Sequence, residues 1–346
     1  MTSSQGDHSI DFQMETAATQ CQGNGAAPSV PVGFIAKSPI LALGALIAVN
    51  AMWAFQFAGA RIATSELGAV LVTLVPLVIA TLLIMPFAKL NRDLFLARNR
   101  SILIDVLLLG TLGVVPAQLC LVFGVQRTLA SNASVLALTV PVFTALSASI
   151  FLDERMTKLR WASFAIAILG VGLISANDIH HARLFSLQYV SGNLLVLASC
   201  AGSAFNNSYS RRALSRLSAA QVLVWTFIVA DLELLLIDLV ADRSGWKQLF
   251  HLQPSVWWSL ILVAVFSLGI SMLLYFAVIQ SVEVMRAAVS VYLLPVFGLV
   301  FSSILLGERM TPNLIAGGIL IFVSCFLVTV YEENQRRRGL DQSARA

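Results

Sequence analysis

Apolar residues in this chain come in long runs separated by short polar breaks. Ten runs stand out, at 39–60, 67–88, 102–123, 130–152, 160–178, 190–210, 219–240, 255–279, 286–306 and 312–331. A helix rises 1.5 Å per residue, so about 20 residues cross roughly 30 Å of hydrocarbon. Lipid offers no partner to backbone N–H and C=O groups, so runs of this length predict helices that satisfy those groups internally. The expected fold is an all-α integral membrane protein with ten transmembrane helices. Residues 1–38, rich in Ser, Gln, Gly and Ala, are expected to form a disordered cytoplasmic tail, and 332–346 a basic cytoplasmic tail.

The breaks carry the basic residues. With the N-terminus inside, sixteen Lys and Arg fall on inner segments, against six on outer ones (Arg61, Arg127, Arg183, Arg243, Lys247 and Arg309). That bias predicts a multi-pass protein of the cytoplasmic (inner) membrane with both termini in the cytoplasm. Trp161, Trp257 and Trp258 at helix starts suit an interfacial aromatic belt.

Composition narrows the function. Hydrophobic residues make up 58% of the 346 and charged residues 12%, with a mean hydropathy of +0.84, so the solvent is the bilayer. The net charge of +4 belongs to topology signals, so no nucleic-acid partner is expected. Cys21, Cys120, Cys200 and Cys325 have no paired spacing and read as small core residues, with no metal site. All four histidines lie outside the apolar runs, which argues against an intramembrane enzyme. No G-x-x-x-x-G-K-[ST] element is present, which disfavours an ATP-driven pump, and no cofactor is expected.

The two halves resemble each other. Pro141-Val142-Phe143 is matched by Pro295-Val296-Phe297, and Glu154-Arg155-Met156-Thr157 by Glu308-Arg309-Met310-Thr311, both at an offset of 154 residues. Ala54-Phe55-Gln56 and Arg61 match Ala204-Phe205-Asn206 and Arg211 at an offset of 150. The repeats are expected at 39–178 and 190–331. Five helices each is an odd number, so the second copy enters the membrane from the opposite side, and inverted repeats are the usual scaffold of alternating access.

These elements, together with Trp53-Ala54-Phe55, Asn207, Arg211-Arg212 and the Leu169-Gly170-Val171-Gly172 run, resemble the EamA-type branch of the drug/metabolite transporter superfamily. The resemblance covers roughly residues 40 to 331. It implies a ten-helix secondary transporter, usually an exporter of amino acids or other small metabolites, with a central cavity between the halves. Unlike the four-helix small multidrug exporters, this chain has no glutamate in its first helix. The alternatives are a nucleotide-sugar or other metabolite carrier of the same superfamily, and a non-transporting structural protein. Carriers of such anions need basic residues in the cavity, and no Lys or Arg lies deep in any run.

Candidate site residues follow from polar groups inside the runs. Asn50, Trp53 and Gln56, at i, i+3 and i+6, share a face of the first helix. With Gln118, Asn206, Asn207, Tyr275 and Tyr292 they offer amide, indole and phenol groups suited to a neutral or zwitterionic small-molecule substrate. Asp231 lies mid-way along the seventh run, with Glu233 two residues on and Asp238 seven on. Two residues are about 200° of rotation, so Asp231 and Glu233 face different ways. A mid-membrane carboxyl group costs about 2.5–3.5 kcal/mol on insertion scales, which makes both acids candidate coupling sites with protons as the coupling ion. Pro141 and Pro295 are candidate hinges, since proline removes a helix donor. Glu154, Arg155, Glu308 and Arg309 are candidate gates through salt bridges that differ between access states. Asp105 is expected at the cytoplasmic interface near Arg98 and Arg100.

Overall fold

In a computed structural model of the chain, residues 39–88, 100–151, 157–181, 187–241, 245–279 and 290–327 are described. Both expected tails, Glu154 and Arg155 lie outside them. The described residues are helical, with no strand. In chain order, α1 is Pro39–Ala63, α2 Ala69–Ile84, α3 Arg100–Arg127 and α4 residues 130–151. Next come α5 Lys158–His181, α6 Leu187–Leu214, α7 Ala219–Ala241, α8 residues 254–279, α9 Leu293–Leu306 and α10 Pro312–Phe326. Among the described residues, six helices are long and apolar enough to cross a bilayer: Leu43–Ala63, Ala69–Ala88, Arg100–Arg127, Ala130–Ser147, Lys158–Ser175 and Pro254–Tyr275.

Local chemistry sets the ends. Prolines open α1, α8 and α10, where the missing N–H is not needed. Thr311 caps α10 by accepting from the Leu314 N–H at 3.2 Å, and Thr157 accepts from the Arg160 N–H at 3.2 Å at the start of α5. The threonine of each matched Glu-Arg-Met-Thr element is therefore a helix cap.

Two helices are irregular at matching positions. Leu109–Val114 in α3 and Val263–Ile270 in α8 are π-helical, and their starts are 154 residues apart. In α3 the bulge lies just ahead of Pro116, whose ring displaces the preceding turn. A second matched pair precedes the two candidate hinges. A 3-10 turn, Ala137–Thr139, breaks α4 before Pro141, and a turn at Val291 and Tyr292 leads into α9 before Pro295. Pro295 thus sits in the first turn of α9 as described, where the sequence alone suggests mid-helix.

Burial departs from that of a water-soluble domain on the outside, where large apolar side chains are exposed around an apolar core that also holds polar groups. Asn50, Asp105, Asn132, Asn193 and a series of Ser and Thr side chains are buried, while Leu169, Leu232, Leu236, Ile304 and Ile319 are exposed. An apolar exterior around polar contacts suits a lipid solvent. Small residues let helices approach closely. A Cβ on Gly202 of α6 would lie 2.8 Å from the Ala117 N of α3, and one on Gly317 of α10 would lie 2.6 Å from the Gly170 O of α5.

Candidate functional site

The polar ladder of α1 faces three different surroundings. Asn50, near the middle of the helix, donates its Nδ2–H to the Leu46 carbonyl at 2.8 Å and to Ser290 Oγ at 3.2 Å. Its Oδ1 is buried with no hydrogen-bond partner among the described residues. One turn on, the Trp53 Nε1–H is also buried without a partner among the described residues, and the indole packs 5.0 Å from the Tyr275 ring of α8. A further turn on, Gln56 donates to Gln118 Oε1 of α3 at 2.5 Å. Beside this amide pair a cavity of about 10 Å³ opens among α1, α2, α3 and α8, with Thr73 and Ser259 on its wall. It has room for about one water molecule.

The other cavity candidates divide. Half-buried Asn206 of α6 lies against Gly113 in the π segment of α3, where a Cβ would come within 3.1 Å of the Asn206 Cβ. Asn207 is exposed, and its carbonyl accepts from Ser210 Oγ. Tyr292 is buried against Phe322 of α10, with ring centroids 4.8 Å apart.

The acids of α7 reach different helices. Asp231 accepts from Thr81 Oγ1 of α2 at 2.7 Å, while its Oδ1 is buried without a partner among the described residues. Glu233 accepts from Thr111 in the π segment of α3. Asp238 is buried and accepts from Trp246 Nε1 at 2.6 Å, in the short helix Gly245–Gln248.

Of the gate candidates, Arg309 is exposed, and Glu308 turns its carboxylate onto α4. It accepts from the backbone N–H groups of Ala130 at 2.9 Å and Ser131 at 2.8 Å.

Three charged clusters escaped the sequence reading. Asp105, expected at the cytoplasmic interface near Arg98 and Arg100, is not an exposed carboxylate. It is buried, accepts from the Tyr209 hydroxyl at 3.0 Å, and pairs with Arg212 at 3.3 Å and Arg216 at 3.6 Å. The i, i+4 spacing of those two arginines was the available signal. Arg61, read from the sequence as a topology signal and a repeat match, donates to the Val125 and Gln126 carbonyls at 2.7 and 2.5 Å, at the end of α3. Glu66 accepts from the Gln253 N–H at 3.0 Å at the start of α8. Among the described residues no group of three His, Cys, Asp or Glu could hold a metal ion.

Known proteins place this arrangement. The EamA-like transporter family matches residues 40–176 and 190–330. A probable terminal-alkyne amino-acid exporter of Streptantibioticus cattleyicolor is 26% identical over 300 residues, covering 86% of this chain and 96% of its own. A probable amino-acid metabolite efflux pump of Salmonella typhimurium is 28% identical over 215 residues, covering 59% and 68%. The uncharacterized transporter YoaV of Bacillus subtilis is 23% identical over 212 residues, covering 60% and 70%. One solved crystal structure, 18% identical, shares the fold with a TM-score of 0.56, covering 86% of this chain and 99% of that one. A family match over both halves of a helical, apolar chain makes this protein a member of the EamA-like transporter family.

Proposed function

We propose that the protein is a secondary active transporter. It exports small neutral or zwitterionic metabolites, amino acids or related compounds, across the cytoplasmic membrane. Transport is by alternating access between two inverted five-helix repeats, 39–178 and 190–331, with both termini cytoplasmic. The observation that carries the substrate class is the pair of unmatched groups on α1. Asn50 Oδ1 is an acceptor and Trp53 Nε1–H a donor, one turn apart, both buried and both unpartnered among the described residues. Each unmatched buried polar group costs about 1–3 kcal/mol. A ligand that presents an ammonium or amide N–H to Asn50 and a carboxylate or carbonyl oxygen to Trp53 recovers both. Neither group carries a formal charge, which suits a net-neutral solute. The amino-acid exporter and efflux names of the relatives agree with that class.

In this reading Asp231 couples export to protons. It is the mid-helix carboxyl group with one oxygen bonded to Thr81 and the other unmatched. The breaks before Pro141 and Pro295 are the hinges.

Reconstitution in proteoliposomes tests both parts. Flux of a neutral amino acid is expected to saturate and to accelerate with substrate on the opposite side, and Trp53→Phe to raise the half-saturating concentration about tenfold. Flux linear in concentration, without acceleration, overturns the transporter reading. Asp231→Asn is expected to lower pH-gradient-driven efflux by roughly tenfold or more while exchange persists. An unaltered pH dependence removes the coupling role.

A further inference from the structure

The α3–α4 turn is gripped from three sides. From α1, Arg61 supplies a cation to the last carbonyls of α3, Val125 and Gln126. From beyond α9, Glu308 supplies a carboxylate to the first N–H groups of α4, Ala130 and Ser131. From α6, Asn193 Oδ1 accepts from Thr128 Oγ1 at 2.6 Å. Each ionic group meets the helix end of opposite partial charge, so both satisfy backbone groups that a helix cannot pair by itself.

The three contacts are not equivalent. Arg61 and the turn belong to the same half of the chain, so that contact can persist when the halves move. Glu308 lies in the other half, and its side chain is aimed by Gly307, whose φ of +66° turns the chain sharply at the end of α9. Thr311 then starts α10, so Glu308 is held between two fixed helix ends. Below it α4 and α9 pack closely, with the small Ser134 side chain of α4 seated where a Cβ on Gly298 of α9 would fall, 2.2 Å from the Ser134 Cβ. Separating α9 from α4 at this end requires Glu308 to exchange two backbone N–H groups for water. A half-buried carboxylate can do that readily.

We infer that Glu308 is the releasable latch of the α3–α4 end. Its grip on α4 holds that end closed, and Arg61 is a positioning residue that keeps the turn where the latch can reach it. The inference rests on the alternating-access reading, in which this end faces outward.

The test uses the full-length chain with its four cysteines replaced by alanine and one reporter, Ser131→Cys. Ser131 is buried, and its hydroxyl has no partner to lose. A membrane-impermeant methanethiosulfonate reagent is applied to right-side-out and to inside-out vesicles. Glu308→Gln is expected to raise the labelling rate at least about fivefold from the outer side alone, with Arg61→Gln giving a smaller rise and Glu308→Asp falling between. An unchanged rate in Glu308→Gln, a rise from the inner side, or failure of Glu308→Gln to give monodisperse protein overturns the latch. Counterflow is measured separately. Faster labelling in a protein without counterflow upholds the latch and rejects transport, and the converse result rejects only the latch.

Discussion

The two ends of the helix bundle handle charge in different ways. At the α2–α3 end, Asp105 is buried and bonded to other side chains, Tyr209, Arg212 and Arg216, and Arg216 also reaches Ser101. At the α3–α4 end, Arg61, Glu66 and Glu308 bond to backbone groups at the ends of neighbouring helices. A buried carboxylate stripped of its partners has no water to turn to, so its cluster behaves as a permanent joint. A partly exposed charge on a helix end loses little on release, because water replaces the backbone group. The difference separates a joint that holds the fold from contacts that can cycle.

The largest effect should come from breaking the joint. Asp105→Ala removes the acceptor of Tyr209 and the partner of both arginines. Because Arg212 and Arg216 reach water, the expected loss is about 2 kcal/mol, short of that for a fully enclosed pair. Thermal unfolding in detergent checks it, and a midpoint within a degree of the parent would remove the distinction between the ends. Next in size, Gly192→Ala places a Cβ 2.7 Å from the Thr128 N, so α6 must back away from the turn. A loss of roughly 1–2 kcal/mol is expected, together with faster labelling of the latch reporter. Stability lost without faster labelling would show that α6 supports the turn but does not restrain its opening.

A smaller effect is expected between the ends. Pro141→Ala restores a donor after the 3-10 turn and favours a straight α4. Exchange should slow roughly threefold with the fold intact, measured as counterflow per folded protein. Equal rates would make the proline a packing residue. The smallest effect is predicted for Glu66→Gln, an exposed single contact on the Gln253 N–H, at under about 0.5 kcal/mol. A loss comparable to that of Asp105→Ala would show that backbone-bonded charges at this end are structural too.

Much of the fold was legible in the chain. The apolar runs, the opening prolines and the matched Glu-Arg-Met-Thr elements all depend on residues within a few positions of one another, and helices form on that scale. The site was legible only in part. Helical spacing put Asp231 and Glu233 on different sides of α7, where they meet α2 and α3, but it did not separate the surroundings of Asn50, Trp53 and Gln56, which meet Ser290, Tyr275 and Gln118. It did not reveal that Asn207 is exposed, that Tyr292 packs on Phe322, or that Asp105 is buried.

What the sequence determined by itself is therefore the solvent and the grain of the protein: a bilayer-embedded helical chain, doubled, with uncharged polar groups in its first helix and acids in its seventh. These follow from composition set against the 1.5 Å rise of a helix and the thickness of hydrocarbon. Only the tertiary structure decided which charges meet helix ends and which polar atoms are left unmatched. Arg61 meets carbonyls 64 and 65 residues away, and Glu308 meets N–H groups 178 and 177 residues away. Periodicity fixes where a side chain points around its own helix axis, but the rotation of that helix and its neighbour come from packing, through close approaches such as Gly202 on Ala117 and Gly298 on Ser134.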